Sequence, residues 1–265
     1  MPIAFPTRPG LIAYLTAGDP SLADTYAIAL AAIDAGADVI ELGVPFSDPL
    51  ADGPVIQRAS ERAVARGVRL TDVLSLAAQL RKARPAVGLV LFSYLNPVLQ
   101  FGGQAGKGLA AFCAAAATAG VDGVLLTDMI VEEAAEYLAA MHAHSLAPIF
   151  LAAPTSPDAR LAAIAAASQG FVYAISRTGI TGTQTTIASD AAQLVARLRR
   201  FTEPLDLPIA LGFGISNAAH VAAVAEFVDA AVIGSALVAL IEKTPPPEAP
   251  AAIANFIAGL RQVPA

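Results

Sequence analysis

The chain of 265 residues has one cysteine, three histidines and three lysines, and only 14% of its residues are charged. Its lone Cys113, set in the alanine-rich AAFCAAAATAG, excludes an intrachain disulfide and argues against a thiolate metal site; it reads as a small buried helix residue. His142, His144 and His220 fall in helix-like segments, and Lys82, Lys107 and Lys243 fall in or beside them. That placement argues against a histidine-rich metal site, a histidine acid/base and a Schiff-base lysine, so no metal or cofactor is called for. A net charge of -6 without a basic stripe opposes nucleic acid. The uncharged stretch 85–106 is broken by Pro85, Asn96, Pro97, Gln100, Gly102 and Gly103, so no run of about 20 apolar residues spans a membrane. The opening MPIAFPTRPG lacks the charged-then-apolar pattern of a secretory signal, which predicts a cytoplasmic protein.

What is present is apolar: 56% of residues are hydrophobic. Eight short apolar runs recur without strict alternation: LIAYL at 11–15, VIELG at 39–43, VGLVLFSYL at 87–95, VDGVLLT at 121–127, APIFLA at 147–152, FVYAIS at 171–176, LPIALG at 207–212 and VDAAVIG at 228–234. Continuous runs suit parallel strands buried on both faces. Alanine-rich segments of helical period lie between them, at 22–35, 71–83, 109–119, 132–142, 157–167 and 190–201. A doubly wound open sheet also alternates this way, but eight units with no Gly-rich dinucleotide fingerprint after the first strand favour closure into a (β/α)₈ TIM barrel. Length alone admits two small domains; the unit count favours one domain over 1–265, with 1–10 and 248–260 as caps and TPPPEAP at 244–250 as a break.

In such a barrel the active site lies at the C-terminal ends of the strands. Glu41 is the most informative residue there, because a carboxylate inside VIELG must face a polar cavity or an ion-pair partner. Desolvation would raise its pKa and let it carry a proton near neutral pH. The following GVPFSDPLADGP supplies Asp48 and Asp52; it reads as a functional loop, with Asx-turn roles open for either aspartate. Strand ends also deliver Tyr94, Asp128 and Tyr173. GFGIS at 212–216 and IGSA at 233–236, with Gly179 and Gly182 after the sixth strand, place glycines at strand-to-helix turns. Tight turns explain each alone; together they point to a phosphate held by backbone N–H groups. Carboxylate chemistry with a phosphate anchor then requires a substrate that accepts electrons by itself.

ELGVPFSDPLADGPVIQ at 41–57, with LTAGDP at 15–20, YLNPV at 94–98, SRTGITG at 176–182, GFGIS and IGSA, closely resembles the tryptophan synthase alpha chain over almost the whole length. The resemblance implies retro-aldol cleavage of indole-3-glycerol phosphate to indole and glyceraldehyde 3-phosphate. It implies Glu41 as the proton-moving glutamate, Asp52 as the aspartate facing the indole N–H, and Tyr173 as the tyrosine near the glutamate. Tyr14 takes the place of an aromatic that packs on indole, Tyr94 joins the substrate site, and Thr181 is a loop residue that positions Asp52. Gly182, Gly214, Gly234 and Ser235 match phosphate contacts, and the Asp48 loop touches a beta chain in an alpha2beta2 assembly. Two departures stand out: Met129-Ile130 replaces the usual Leu-Pro near the subunit contact, and the short N-terminal segment implies a reduced barrel plug. A free-standing lyase, or a catalytically silent phosphate-binding barrel acting as a regulatory subunit, are the alternatives.

Overall fold

The computed structural model describes residues 3–103, 108–175, 184–212 and 214–262, with the backbone alone for 184–189. Among these, nine parallel segments form one sheet: β1 Gly10–Thr16, β2 Val39–Gly43, β3 Gly88–Ser93, β4 Gly123–Leu126, β5 Ala147–Ile149, β6 Leu151–Ala152, β7 Val172–Ile175, β8 Ile209–Gly212 and β9 Ala230–Ile233. The sheet begins at β5 and ends at β6, which only Phe150 separates along the chain. The run 147–152 expected as one strand therefore divides, β5 pairing with β4 and β6 with β7. Tyr173 N–H donates to the Phe150 carbonyl at 3.0 Å, so this passage joins the two ends of the sheet into a TIM barrel.

Residues alternate between two apolar layers, the period-2 signature of a strand buried on both faces. Ile12, Val39, Val90, Leu125, Ile149, Phe171, Ala210 and Ala230 share the inner cluster. Leu11, Ala13, Ile40, Leu89, Leu91, Val124, Val172 and Ile209 face the helices. Ile3 belongs to the inner cluster and Phe5 packs against it, edge-on to Phe171 with ring centroids 6.0 Å apart. The short N-terminal segment thus sets Ile3 and Phe5 into the floor of the barrel.

The helices are α1 Leu22–Asp34, α2 Pro54–Ala65, α3 Leu70–Ala83, α4 Leu95–Leu99, α5 Gly108–Thr118, α6 Ala135–Ala143, α7 Asp158–Ala167, α8 Gln184–Thr202, α9 Ala218–Ala225, α10 Ser235–Lys243 and α11 Ala249–Arg261. The Ser21 hydroxyl caps α1 by accepting the Asp24 N–H at 3.1 Å. The helix expected over 132–142 begins instead with a 3₁₀ turn, Val131–Glu133. The long loop after β2 is shorter than its irregular composition suggests, because Pro54 opens α2; its fixed φ and missing N–H suit a first helical position. No helix among the described residues is long and apolar enough to cross a membrane.

One joint is built three times at the floor. Asp38, Asp122 and Asp229 each precede a strand and pair with a residue of the strand before: their N–H groups donate to the carbonyls of Leu11, Leu89 and Ile209 at 2.9, 2.9 and 3.0 Å. Their carboxylates accept the N–H groups of those same residues, each at 2.8 Å. Arg261, Arg81 and Arg199 respectively close each joint from outside.

Candidate active site

Two residues beyond the floor layer, the same inward face carries Tyr14, Glu41, Phe92 and Tyr173. Glu41 lies between Tyr14 of β1 and Val90 of β3 in register. It is fully buried, and neither carboxylate oxygen has a hydrogen-bond partner among the described residues. Among the described residues it therefore makes no ion pair at the helix layer. Burial among apolar neighbours first, and the nearby Asp52 charge second, push its pKa up to about 8.

Asp52 is half-buried at the end of the loop after β2. Its carboxylate accepts the Tyr94 hydroxyl at 3.0 Å, and the same hydroxyl accepts the Ala51 N–H at 2.9 Å. Burial raises its pKa to about 6, opposed by the Tyr94 hydrogen bond. The loop is pinned from α2, where Gln57 Nε2 donates to the Asp52 carbonyl at 2.9 Å. The Ser60 hydroxyl also accepts the Phe46 N–H at 2.9 Å and donates to the Phe46 carbonyl at 3.1 Å. Phe46 in turn packs on Tyr94 with centroids 5.1 Å apart.

Glycines make room for the two inner tyrosines. A methyl group on Gly43 would collide with the Tyr14 ring, and one on Gly212 would fall 2.6 Å from Tyr173 Cε1. Tyr14 stands edge-on to Phe92 at 5.3 Å, and the Thr16 hydroxyl approaches its oxygen at 3.5 Å. Burial, then the Glu41 charge, hold the Tyr173 phenol well above its usual range.

Asp48 is exposed, and its carbonyl accepts the Leu50 N–H at 2.9 Å. Asp128 accepts the Leu95 N–H at 2.7 Å, a cap on the start of α4. At the other side of the mouth, Gly214 adopts φ +51 with open space where a Cβ would stand. Gly234 is the N-cap of α10, and exposed Ser235 is its first residue. The leading N–H groups of a helix have no intrahelical acceptor, so this end suits an anion. Gly179, Thr181 and Gly182 lie outside the described residues. No group of three or more His, Cys, Asp or Glu among the described residues could hold a metal ion. Phe92 and Ser60 join the site without a motif of their own: the period of two from Val90 marks the first, while nothing local marks a serine that fastens a loop residue 14 positions away.

The tryptophan synthase alpha chain family model matches residues 4–259. The tryptophan synthase alpha chain of Solibacter usitatus is 52% identical over 236 residues, covering 89% of this chain and 85% of that one. A solved tryptophan synthase structure from M. tuberculosis, in an aminoacrylate-bound form, superposes with a TM-score of 0.83 at 37% identity over 96% of this chain and 94% of that chain. A chain of the tryptophan synthase a2b2 complex from Pyrococcus furiosus gives a TM-score of 0.85 at 34% identity, over 96% of this chain and 98% of that one. With the barrel and the buried glutamate above its floor, these matches place the chain in the tryptophan synthase alpha chain family.

Proposed function

We propose that Glu41 and Asp52 carry out the cleavage of indole-3-glycerol phosphate, the lyase reaction of the alpha chain family. The observation that carries this reading is the state of Glu41: buried, without a hydrogen-bond partner among the described residues, and pushed by burial up to about 8, so it holds a proton at neutral pH. Glu41 gives that proton to indole C3, forming an indoleninium cation that serves as the electron sink. The resulting carboxylate takes the proton of the glycerol hydroxyl on the carbon attached to C3. The carbon–carbon bond breaks, its electron pair returns to the ring, and an aldehyde forms as indole leaves. Asp52, ionised above about 6, stabilises the charge that develops at N1. The different surroundings of the two carboxyls divide acid/base work from electrostatic work.

Tyr173 lies beside Glu41, and Tyr14 with Phe92 forms the aromatic wall for the indole. Tyr94 acts on substrate through Asp52. Gly214, Gly234 and Ser235, with Gly182, bind the phosphate by resemblance, and Thr181 by resemblance positions Asp52; the remote binding energy of the phosphate holds the three-carbon tail while the ring departs. The whole chain works as one domain in the cytoplasm, and the partner is a tryptophan synthase beta chain, met by the face that carries Asp48. Leu50, two residues after Asp48, is exposed, as are Leu99 and Ile130 after the third and fourth strands.

The test is indole formation from indole-3-glycerol phosphate by the pure protein, with and without a beta chain. Activation by the beta chain is expected. Full activity alone, unchanged on mixing, would favour the free-standing lyase. No indole under either condition would favour a silent barrel.

A further inference from the structure

We propose that the ion-pair cluster of Asp19, Arg62, Glu242 and Arg58 is a positioning device for the reaction, setting where Asp52 stands relative to the phosphate end of the site. The proposal rests on the reading given above of Asp52, Gly234 and Ser235. Helix α2 begins at Pro54, two residues after Asp52, so movement of α2 moves the aspartate. Its inner face packs Ala59, with Val55 and Ile56 alongside, against Tyr14, Phe92 and Val238 of α10. That patch is small and apolar, and the Ser60 and Gln57 bonds run to the loop rather than to α10, so they do not set where α2 sits along α10.

The charged cluster sets that position. Arg62 grips Asp19 with a two-pronged fork, Nε to Oδ1 at 2.9 Å and Nη2 to Oδ2 at 2.6 Å, and its third nitrogen donates to Glu242 Oε1 at 2.7 Å. Arg58, one turn earlier, forks both oxygens of Glu242 at 2.9 and 2.7 Å. Planar forks of this kind fix orientation as well as distance. Between them the two arginines hold the Glu242 carboxyl down at about 2, so it remains ionised at any working pH.

The elements joined are the ones that matter. Asp19 follows β1, the strand of Tyr14; Arg58 and Arg62 stand on the helix of Asp52; Glu242 is the penultimate residue of α10, whose first residue is Ser235. Over those seven steps α10 is a rod of about 10 Å with the candidate phosphate contact at one end and the α2 anchor at the other. Arg62 and Glu242 keep side-chain exposures of 31% and 24%, but Asp19 is buried at 4%, and two-pronged arginine forks joined in one network are the case in which such pairs hold geometry.

Steady-state indole formation is measured for wild type, Glu242→Gln and Arg62→Lys, with glycerol 3-phosphate inhibition as the phosphate probe and Tm as the stability readout. Each variant is expected to lose kcat by about tenfold or more, since small misplacements of reacting groups are costly. Inhibition by glycerol 3-phosphate stays within about twofold of wild type, and the double variant falls little below the worse single one, as members of one network do. Unchanged kcat with a lowered Tm, or a parallel loss of kcat and glycerol phosphate binding, would overturn the positioning role. If Arg62→Lys does not fold, Arg58→Gln takes its place, its side chain being half exposed at 49%. A wild type that forms no indole overturns the reading of the site itself, and this proposal with it.

Discussion

The Tyr94 phenol bridges two consecutive residues, donating to the Asp52 carboxylate at 3.0 Å while accepting the Ala51 N–H at 2.9 Å. One side chain from the strand-three end thus fixes both the aspartate and the peptide before it. Sequence resemblance assigns Tyr94 to substrate; the structure adds that its hydroxyl is already engaged.

Tyr94→Phe removes the bond that favours ionised Asp52, so the Asp52 pKa rises. The acid limb of the rate profile is expected to move up by on the order of one pH unit, with kcat at neutral pH reduced. A pH profile of kcat/KM checks this, and an unmoved limb would detach Tyr94 from the mechanism.

For the wild type the same profile is bell-shaped. Asp52 must be ionised and Glu41 must start protonated, so activity falls below about 6 and above about 8. The two limbs belong to an interacting pair, and Glu41→Gln abolishes turnover across the whole range. A flat profile between pH 5 and 9 would contradict this assignment of roles.

Glu41 also ties stability to pH. Its folded pKa of about 8 lies above the ordinary value of 4.5, so the native state binds the extra proton between them. The contribution is intact below pH 4 and is lost as pH rises through 8. Glu41→Gln is therefore expected to be more stable than wild type at pH 9 by on the order of a few kcal/mol, seen as a raised Tm, and to differ little from it at pH 4. Melting curves of both proteins at the two pH values decide it; an equal offset at both would be incompatible with a buried titrating carboxyl.

Gly212→Ala places a methyl group 2.6 Å from Tyr173 Cε1, with β7 and β9 on either side of β8 holding the backbone. The ring has to give way. Overpacking of this kind costs about 1–3 kcal/mol, and displacement of Tyr173 from Glu41 lowers kcat by at least about tenfold. Calorimetry and steady-state kinetics separate the two effects, and normal turnover would show that Tyr173 is a bystander.

Much of the fold is legible because doubly buried strands write continuous apolar runs: VIELG fits β2 residue for residue. The break at Phe150 is not legible, since passing from one neighbour to the next at the barrel seam changes pairing without changing composition. Helix α2 escapes for the opposite reason. Only Ala59, Ser60 and Ala63 are buried on it, too narrow a stripe to announce a helix behind a loop rich in proline and aspartate. Glu41 stands out at once, because an acid within an apolar strand breaks the local rule, and such violations gather at working sites. Gly43 and Gly212 carry no such signal; their meaning depends on tyrosines of neighbouring strands whose rings reach them from two register positions earlier, Tyr14 paired with Glu41 and Tyr173 with Ala210.

The floor joints of Asp38, Asp122 and Asp229 span 27, 33 and 20 positions, yet make the same bonds. Insertions between strands are absorbed without altering the joint, so the barrel is assembled from interchangeable hinge-like modules whose lengths are free parameters. A chain cut in the break after α10, with its old ends linked near the floor, would keep all three modules whole. In such a permuted molecule the mouth would be untouched, and reactivity and assembly could be re-engineered as separate problems.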